Sequence, residues 1–190
     1  MRLTIHETLF LLVSFLMISP LRAANISTII AGNNALTQLA LDVDEPLVAL
    51  TIQSGFAAAQ AITRHFRILN DQIASAVFFY NRTVTPTTFD PATEDSVTES
   101  YGELANTIEE LMFDLSDQEK LMRLYFQQRA IYRTLLHMNT TFGAYGTFMH
   151  SVVGDIYHRN ITRNETANAA FGIVNATAKY GQRPPSFRFA

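Results

Sequence analysis

The residues whose spacing comes closest to a metal site are two histidines and an aspartate in the last third of the chain. His150, Asp155 and His158 could offer imidazole and carboxylate ligands to a transition metal. Asp155 and His158 are three residues apart and share a helix face, but His150 lies two turns earlier and no Glu-x-x-His motif accompanies the set. We therefore predict exposed polar side chains here, with no metal and no cofactor.

The sequence also lacks a pattern of residues suited to catalysis. Glu109 and Glu110 are adjacent, so on a helix their carboxylates diverge and cannot act as a paired acid and base. His65 and His137 have no motif partners. The chain has no cysteine, which excludes thiolate zinc sites and cysteine nucleophiles, and it has no glycine-rich phosphate loop. We predict that the protein is not an enzyme.

The most specific chemistry is that of Asn-x-Ser/Thr sequons, which accept N-linked glycans in the secretory pathway. Six of the eleven asparagines begin a sequon. Charged residues make up 16% of the chain, against about 25% in typical soluble proteins, so glycans would supply polar surface that the side chains do not. Asn25 lies beside the expected cleavage point. We predict glycosylation at the other five: Asn81, Asn139, Asn160, Asn164 and Asn175.

The N-terminal residues have the layout of a secretory signal peptide. Arg2 precedes an apolar run from Leu9 to Ile18, and small residues up to Ala24 offer a cleavage point. We predict that residues 1–23 are removed and that the protein is secreted and extracellular. Of the 14 basic and 17 acidic residues, 12 and 16 would remain. This mild acidic excess gives no reason to bind nucleic acid, and no later segment approaches the roughly 20 apolar residues of a transmembrane helix.

The longest helical pattern runs from Ser116 to Asn160, beginning at the capping box of Ser116 and Glu119. Its apolar stripe indicates one face of a helix, although Gly143 and Gly146 weaken the pattern. A single helix and two helices joined between residues 139 and 146 are both compatible with it, and the unbroken phase favours one. The stripe comprises Leu121, Leu124, Gln128, Ile131, Leu135, Met138, Phe142, Tyr145, Met149, Val152 and Ile156.

Other stripes and caps predict the remaining helices. A short helix over residues 35–43 follows a Gly32 turn, and a second helix begins at Asp44-Glu45-Pro46 and ends near Asn81. A proline-containing loop over residues 83–92 precedes a helix from Glu94 to Leu115, which should form an αα-hairpin with the Ser116 helix. The last helix begins at the capping box of Thr162 and ends near Gly181. Its predicted buried face is Ala167, Ala170, Phe171, Val174 and Ala178.

These elements predict an all-α domain over residues 24–180, a mainly antiparallel bundle of four to five helices, followed by a flexible tail over residues 181–190. Fourteen phenylalanines and seven tyrosines give it a large aromatic interior. Two functions fit: an extracellular interaction protein with an unknown protein partner, or a carrier of an apolar small molecule such as a lipid or fatty acid. The sequons favour the first, because glycans suit a protein exposed to other cells.

Overall fold

The computed structural model describes residues 26–83 and 90–182. Within these ranges the chain forms six α-helices and no β-strand, which confirms the predicted all-α class. The predicted signal peptide, Asn25, most of the proline-containing loop and the tail beyond residue 182 lie outside the described residues. The helices are α1 Ile26–Val48, α2 Gly55–Thr83, α3 Pro91–Asp117, α4 Glu119–Leu124, α5 Gln128–Val152 and α6 Ile156–Gly181.

The five long helices form a closed ring in the order α1, α2, α5, α6, α3. Some pairs of neighbouring helices in the ring are parallel and others are antiparallel. The α3–α6 pair is parallel, because His158 bonds Asp95 where both helices begin and Tyr180 bonds the Leu115 carbonyl where both end. Contacts between corresponding parts of the helices likewise make α1 parallel to α3 and α2 parallel to α5. Contacts between the start of one helix and the end of the other make α1–α2 and α5–α6 antiparallel. The bundle is therefore mixed in direction rather than mainly antiparallel.

The predicted long helix from Ser116 to Asn160 is wrong at its start. Ser116 lies buried in the last turn of α3, and the short α4 follows it. The chain then turns at Phe126, whose φ of 59° is in the left-handed region. The hydroxyl of Tyr125 donates to the carbonyls of Thr51 and Ile52, which ties this turn to the α1–α2 connection. Because α6 lies between α3 and α5 in the ring, the predicted αα-hairpin is also wrong.

A second interruption falls between α5 and α6. The carboxylate of Glu94, on α3, accepts hydrogen bonds from the backbone N–H groups of Gly154 and Asp155 at 2.8 and 2.9 Å. Asp155 then caps α6, accepting from the Tyr157 N–H at 2.6 Å. The predicted cap, Thr162, is instead fully buried inside α6. Both partners of Glu94 are about 60 residues away in sequence, so local patterns do not reveal this turn.

Between these two interruptions α5 is a single continuous helix, as the unbroken apolar stripe predicts. Residues 139–146 are helical throughout, so the alternative with two helices joined there is wrong. The stripe is buried from Ile131 to Val152, whereas Leu124 and Ile156 beyond the helix ends are exposed. The spacing of the apolar residues thus predicts the extent of α5 more accurately than the capping sequences do.

Helix α1 is longer than predicted at both ends. The Asp44-Glu45-Pro46 segment forms its last turn rather than the start of the next helix, and α2 begins at Gly55, whose φ is +78°. The predicted turn at Gly32 is helical, because Asn33 is buried and hydrogen-bonded in the interior. No helix in the described ranges has the length and hydropathy needed to cross a bilayer.

The buried face of α6 differs from the predicted one. Phe171 and Val174 are exposed, at 63% and 51% of their surface. Gly172 faces α3 instead, so closely that a Cβ there would lie 3.2 Å from the Cβ of Met112. Small residues on this face allow α6 and α3 to approach each other. The residues that α6 buries are His158, Thr162, Ala169, Gly172, Ile173, Ala176 and Tyr180.

Candidate ligand-binding interior

The centre of the ring is filled by five buried aromatic side chains contributed by three helices, which we call the aromatic cluster. The rings of Tyr80 and Phe148 are stacked with centroids 5.2 Å apart, and those of Tyr101 and Phe142 are stacked at 6.2 Å. Tyr145 lies between the two pairs, 6.2 Å from Tyr80 and 6.1 Å from Tyr101. The apolar stripes therefore converge on an interior of aromatic faces.

A buried asparagine crosses this interior from α1. The Tyr145 hydroxyl donates to Oδ1 of Asn33 at 2.6 Å, and Nδ2 of Asn33 donates to the Ser100 hydroxyl at 2.9 Å. Ser100 in turn donates to the Val97 carbonyl at 3.0 Å. Asn33, fully buried, thus joins α1, α3 and α5. Asn33 is not recognisable as an interior residue from the sequence, because the Gly-Asn-Asn triplet of residues 32–34 is typical of a turn.

The other two tyrosines of the aromatic cluster are hydrogen-bonded as well. Tyr101 bonds Thr166 at 2.7 Å, and the Tyr80 hydroxyl donates to the Thr28 carbonyl at 3.2 Å. Burial raises the pKa of Tyr80 to about 12, and it also raises the pKa of Tyr101 and of Tyr145 well above the ordinary tyrosine value. All three hydroxyls therefore stay protonated at neutral pH and can act as uncharged donors inside the ring.

A narrow apolar crevice between α1 and α2, which we call the α1–α2 crevice, leads to the aromatic cluster. It has a volume of about 60 Å³, and the buried side chain of Tyr80 is part of its lining. Gly32 is required there, since a Cβ at this position would collide with the Tyr80 hydroxyl. Its lining is mostly apolar: Thr28, Gly32, Ala35, Leu36, Leu39, Gln72, Ser75, Ala76, Phe79 and Tyr80.

Of the three residues with metal-like spacing, Asp155 and His158 lie close together, with Oδ1 of Asp155 3.8 Å from Nδ1 of His158, but His150 does not join them. His158 is buried rather than exposed, with Nε2 2.7 Å from the Asp95 carboxylate and Nδ1 3.4 Å from that of Glu94. His150 instead has its Nδ1 3.3 Å from the Arg159 carbonyl. Among the described residues, no group of three or more histidine, aspartate or glutamate side chains could hold a metal ion. His158 acts as a contact between α6 and α3.

All five predicted glycosylation sites are exposed on helices: Asn81, Asn139, Asn160, Asn164 and Asn175. In each sequon the threonine hydroxyl donates to the backbone carbonyl four residues earlier in its own helix. Two threonines also bond another helix, since Thr141 donates to Asn70 and Thr166 bonds Tyr101. These threonines therefore have a packing role that does not depend on glycans, and their glycosylation stays a prediction.

Comparison with known proteins gives one structural likeness. No protein-family model matches the chain, and no curated protein matches it. The crystal structure of AFMP4P in complex with palmitic acid superposes with a TM-score of 0.72, covering 82% of this chain and 99% of that one. The two chains share a fold. Their identity is 13%, so the likeness concerns the path of the backbone and not individual side chains.

One further site affects stability, at the contact between α1 and α3. Asp44 faces Asp114, and Oδ1 of Asp44 is buried without a hydrogen-bond partner among the described residues. Burial, and then the negative charge of Asp114, raises the pKa of Asp44 to about 6. A carboxyl whose pKa is higher in the folded than in the unfolded chain destabilises the fold once it ionises.

We therefore expect Asp44→Asn to stabilise the protein by about 1 kcal/mol near neutral pH. The full shift corresponds to about 3 kcal/mol, which we reduce because the side chain is only partly buried and solvent screens it. The gain should be absent below about pH 4, where Asp44 is protonated in both states, and should appear as the pH rises to about 6. Urea denaturation at several pH values measures this. Asp42→Asn, two residues earlier, is the control.

Proposed function

We propose that this protein is a noncatalytic carrier that encloses an apolar small molecule such as a fatty acid within its ring of helices. The observation that carries this proposal is the shared fold with a chain whose crystal structure contains palmitic acid. The aromatic cluster supports it, because an interior of aromatic faces with a few hydroxyl donors is the usual chemistry of such a site. The sequence alone favoured an interaction protein.

Binding requires the α1–α2 crevice to widen. At about 60 Å³ it is well below the volume of roughly 300–1,000 Å³ of typical ligand pockets. The α1–α2 pair has the least extensive contact of the five neighbouring pairs, and Gly32, Ala35 and Ala76 contribute little side-chain volume to it. Burying an acyl chain yields about 0.8 kcal/mol per methylene, a gain that opposes the cost of separating the two helices.

The polar end of a bound fatty acid would meet the hydroxyl of Tyr80. Tyr80 lines the crevice, and the hydrogen bond from its hydroxyl to the Thr28 carbonyl, 3.2 Å, is longer than the 2.6 Å bond of the Tyr145 hydroxyl. The longer bond is the weaker one and is more readily exchanged for a carboxylate acceptor. Since Tyr80 is protonated at neutral pH, it can donate to that carboxylate.

Blocking the crevice should abolish binding. We expect delipidated protein to bind one palmitate per chain, and Ala35→Trp to weaken this binding at least about tenfold, because the indole would occupy space that the acyl chain needs. Asn34→Trp adds the same side chain at the next position, which is exposed and outside the crevice, and should bind normally. Titration calorimetry measures both. Equal affinity in the two variants, or no binding by the parent protein, would contradict the carrier function.

The ligand can also be sought directly. Protein purified from its secreting host should yield an apolar molecule at about one per chain on organic extraction and mass spectrometry. A clean extract together with a cross-linked protein partner would favour the interaction protein instead.

We propose further that the carrier is secreted and N-glycosylated. The five exposed sequon asparagines are accessible for sugars, and their side chains are not needed by the core. Treatment of the secreted protein with an N-glycanase should lower its mass. An Asn→Gln variant at an occupied site should show a mass loss that is smaller by one glycan. The absence of any mass change would exclude glycosylation while leaving ligand binding open.

A further inference from the structure

A wide polar groove lies between α2 and α5, away from the α1–α2 crevice. Its volume is about 670 Å³. Arg64 and Arg67 of α2 and Arg133 of α5 line it, together with the amides of Gln60 and Gln127. No acidic side chain is among its lining residues, although the chain as a whole has a net charge of −3. Three cations are thus concentrated in one concave surface of an acidic protein.

The three arginines have no carboxylate partner among the described residues. Within the described ranges, none of them takes part in an ion pair or in a side-chain hydrogen bond. Asp71 follows Arg67 by four residues, the usual spacing for a helical ion pair, yet the two do not pair. Arg64 and Arg67 are three residues apart, so like charges face each other along α2. A bound anion would relieve this repulsion.

Two helix N-termini reinforce the positive potential. Because α2 and α5 are parallel, both begin at this groove, and the third residue of each, Ala57 and Ala130, lines it. The start of α5 has no side-chain cap, although the N–H of Ala130 already donates to the Gln127 carbonyl at 3.1 Å. Helix N-termini carry partial positive charge, which favours an anion nearby.

We propose that this groove binds a phosphate group, either of a free phosphate compound or of an anionic lipid headgroup. Guanidinium groups match the oxygens of a phosphate in paired hydrogen bonds, and three of them carry enough positive charge to neutralise either a phosphate dianion or a singly charged phosphodiester headgroup. The site is separate from the α1–α2 crevice and does not depend on fatty-acid binding. An anionic headgroup held here would place the carrier against a membrane, and a free phosphate would act as an independent ligand.

The test compares the full chain with Arg64→Gln/Arg133→Gln and, as a control, with Arg163→Gln, an exposed arginine of α6 outside the groove. Inorganic phosphate is titrated by NMR at constant ionic strength. Sedimentation with phosphatidylcholine vesicles, with and without phosphatidylglycerol, measures headgroup binding. We expect at least about a tenfold loss of binding in the double variant and none in the control, because two of three charge-assisted contacts are removed.

The two assays separate the sources of the anion. Binding of inorganic phosphate that the double variant loses supports a free phosphate ligand. Binding to phosphatidylglycerol vesicles alone, lost in the same variant, supports the headgroup. Binding that is equal in all three proteins, or absent from both assays, overturns the proposal. Because both substituted arginines are exposed, circular dichroism should confirm that the double variant keeps its helix content.

Discussion

Gly146→Ala is expected to destabilise the protein by about 2 kcal/mol, although alanine is the better helix former by about 1 kcal/mol. Gly146 lies in the middle of α5, where α6 and α3 approach it. A Cβ there would lie 2.5 Å from Oγ1 of Thr166 and 2.9 Å from the Tyr101 hydroxyl. Those two oxygen atoms are hydrogen-bonded to each other at 2.7 Å. The new methyl group would therefore break that bond or push α6 away.

Gly143→Ala is the matched control, since it lies one turn earlier in the same helix. A Cβ at Gly143 would meet no atom within 4 Å. The alanine should therefore stabilise the protein by up to about 1 kcal/mol through its helix propensity alone. Urea denaturation of both variants measures the two signs. Destabilisation by Gly143→Ala as well would show that contact with Thr166 and Tyr101 does not distinguish the two positions.

The two glycines show what sequence can and cannot predict here. Both weaken the helix pattern equally, and the unbroken apolar phase correctly favours one helix across them. Only the packing distinguishes Gly146, against which Thr166 lies, from Gly143, which is open. In α5 the periodicity reveals which residues face inward, because its apolar residues keep one phase along the whole helix. It does not reveal which neighbour they face.

The sequence predicts the helix ends less well, because they too depend on contacts with other helices. Capping sequences at Ser116 and Thr162 satisfy a local rule, but both threonine and serine donate to backbone carbonyls inside helices as well, as Thr162 does to His158. The real interruption before α6 depends on Glu94, which comes from another helix. The α6 face was misjudged because large apolar residues were expected inside, whereas close packing against α3 selects Gly172.

The sequence predicts the aromatic character of the interior, but it does not predict which residues of different helices meet there. The sequence indicates an aromatic interior, and Phe142 and Tyr145 are indeed buried in it. It does not indicate that Asn33 crosses that interior, since a polar residue beside glycine is more typical of a turn. Nor does it show that Arg64 and Arg133 share a groove, because parallel packing of α2 and α5 is a property of the ring.

Asn33→Ala should be among the most destabilising single substitutions, at about 3 kcal/mol. It removes the amide that joins three helices and leaves the Tyr145 hydroxyl, in a fully buried residue, without its acceptor. A buried hydroxyl that loses its partner costs about 1–3 kcal/mol, and the lost side-chain volume adds to this. Asn34→Ala, at the adjacent exposed position, should change the free energy of unfolding by less than about 0.5 kcal/mol.

A double-mutant cycle separates the hydrogen bond from the packing. Tyr145→Phe removes the hydroxyl and should cost about 1–2 kcal/mol by itself, because Oδ1 of Asn33 is then unpaired. In the double variant neither group is left without a partner across this bond, so its cost should fall short of the sum of the two single costs by about 1 kcal/mol. Strictly additive costs, measured by urea denaturation, would show that Asn33 stabilises the ring through its volume and its bond to Ser100 rather than through Tyr145.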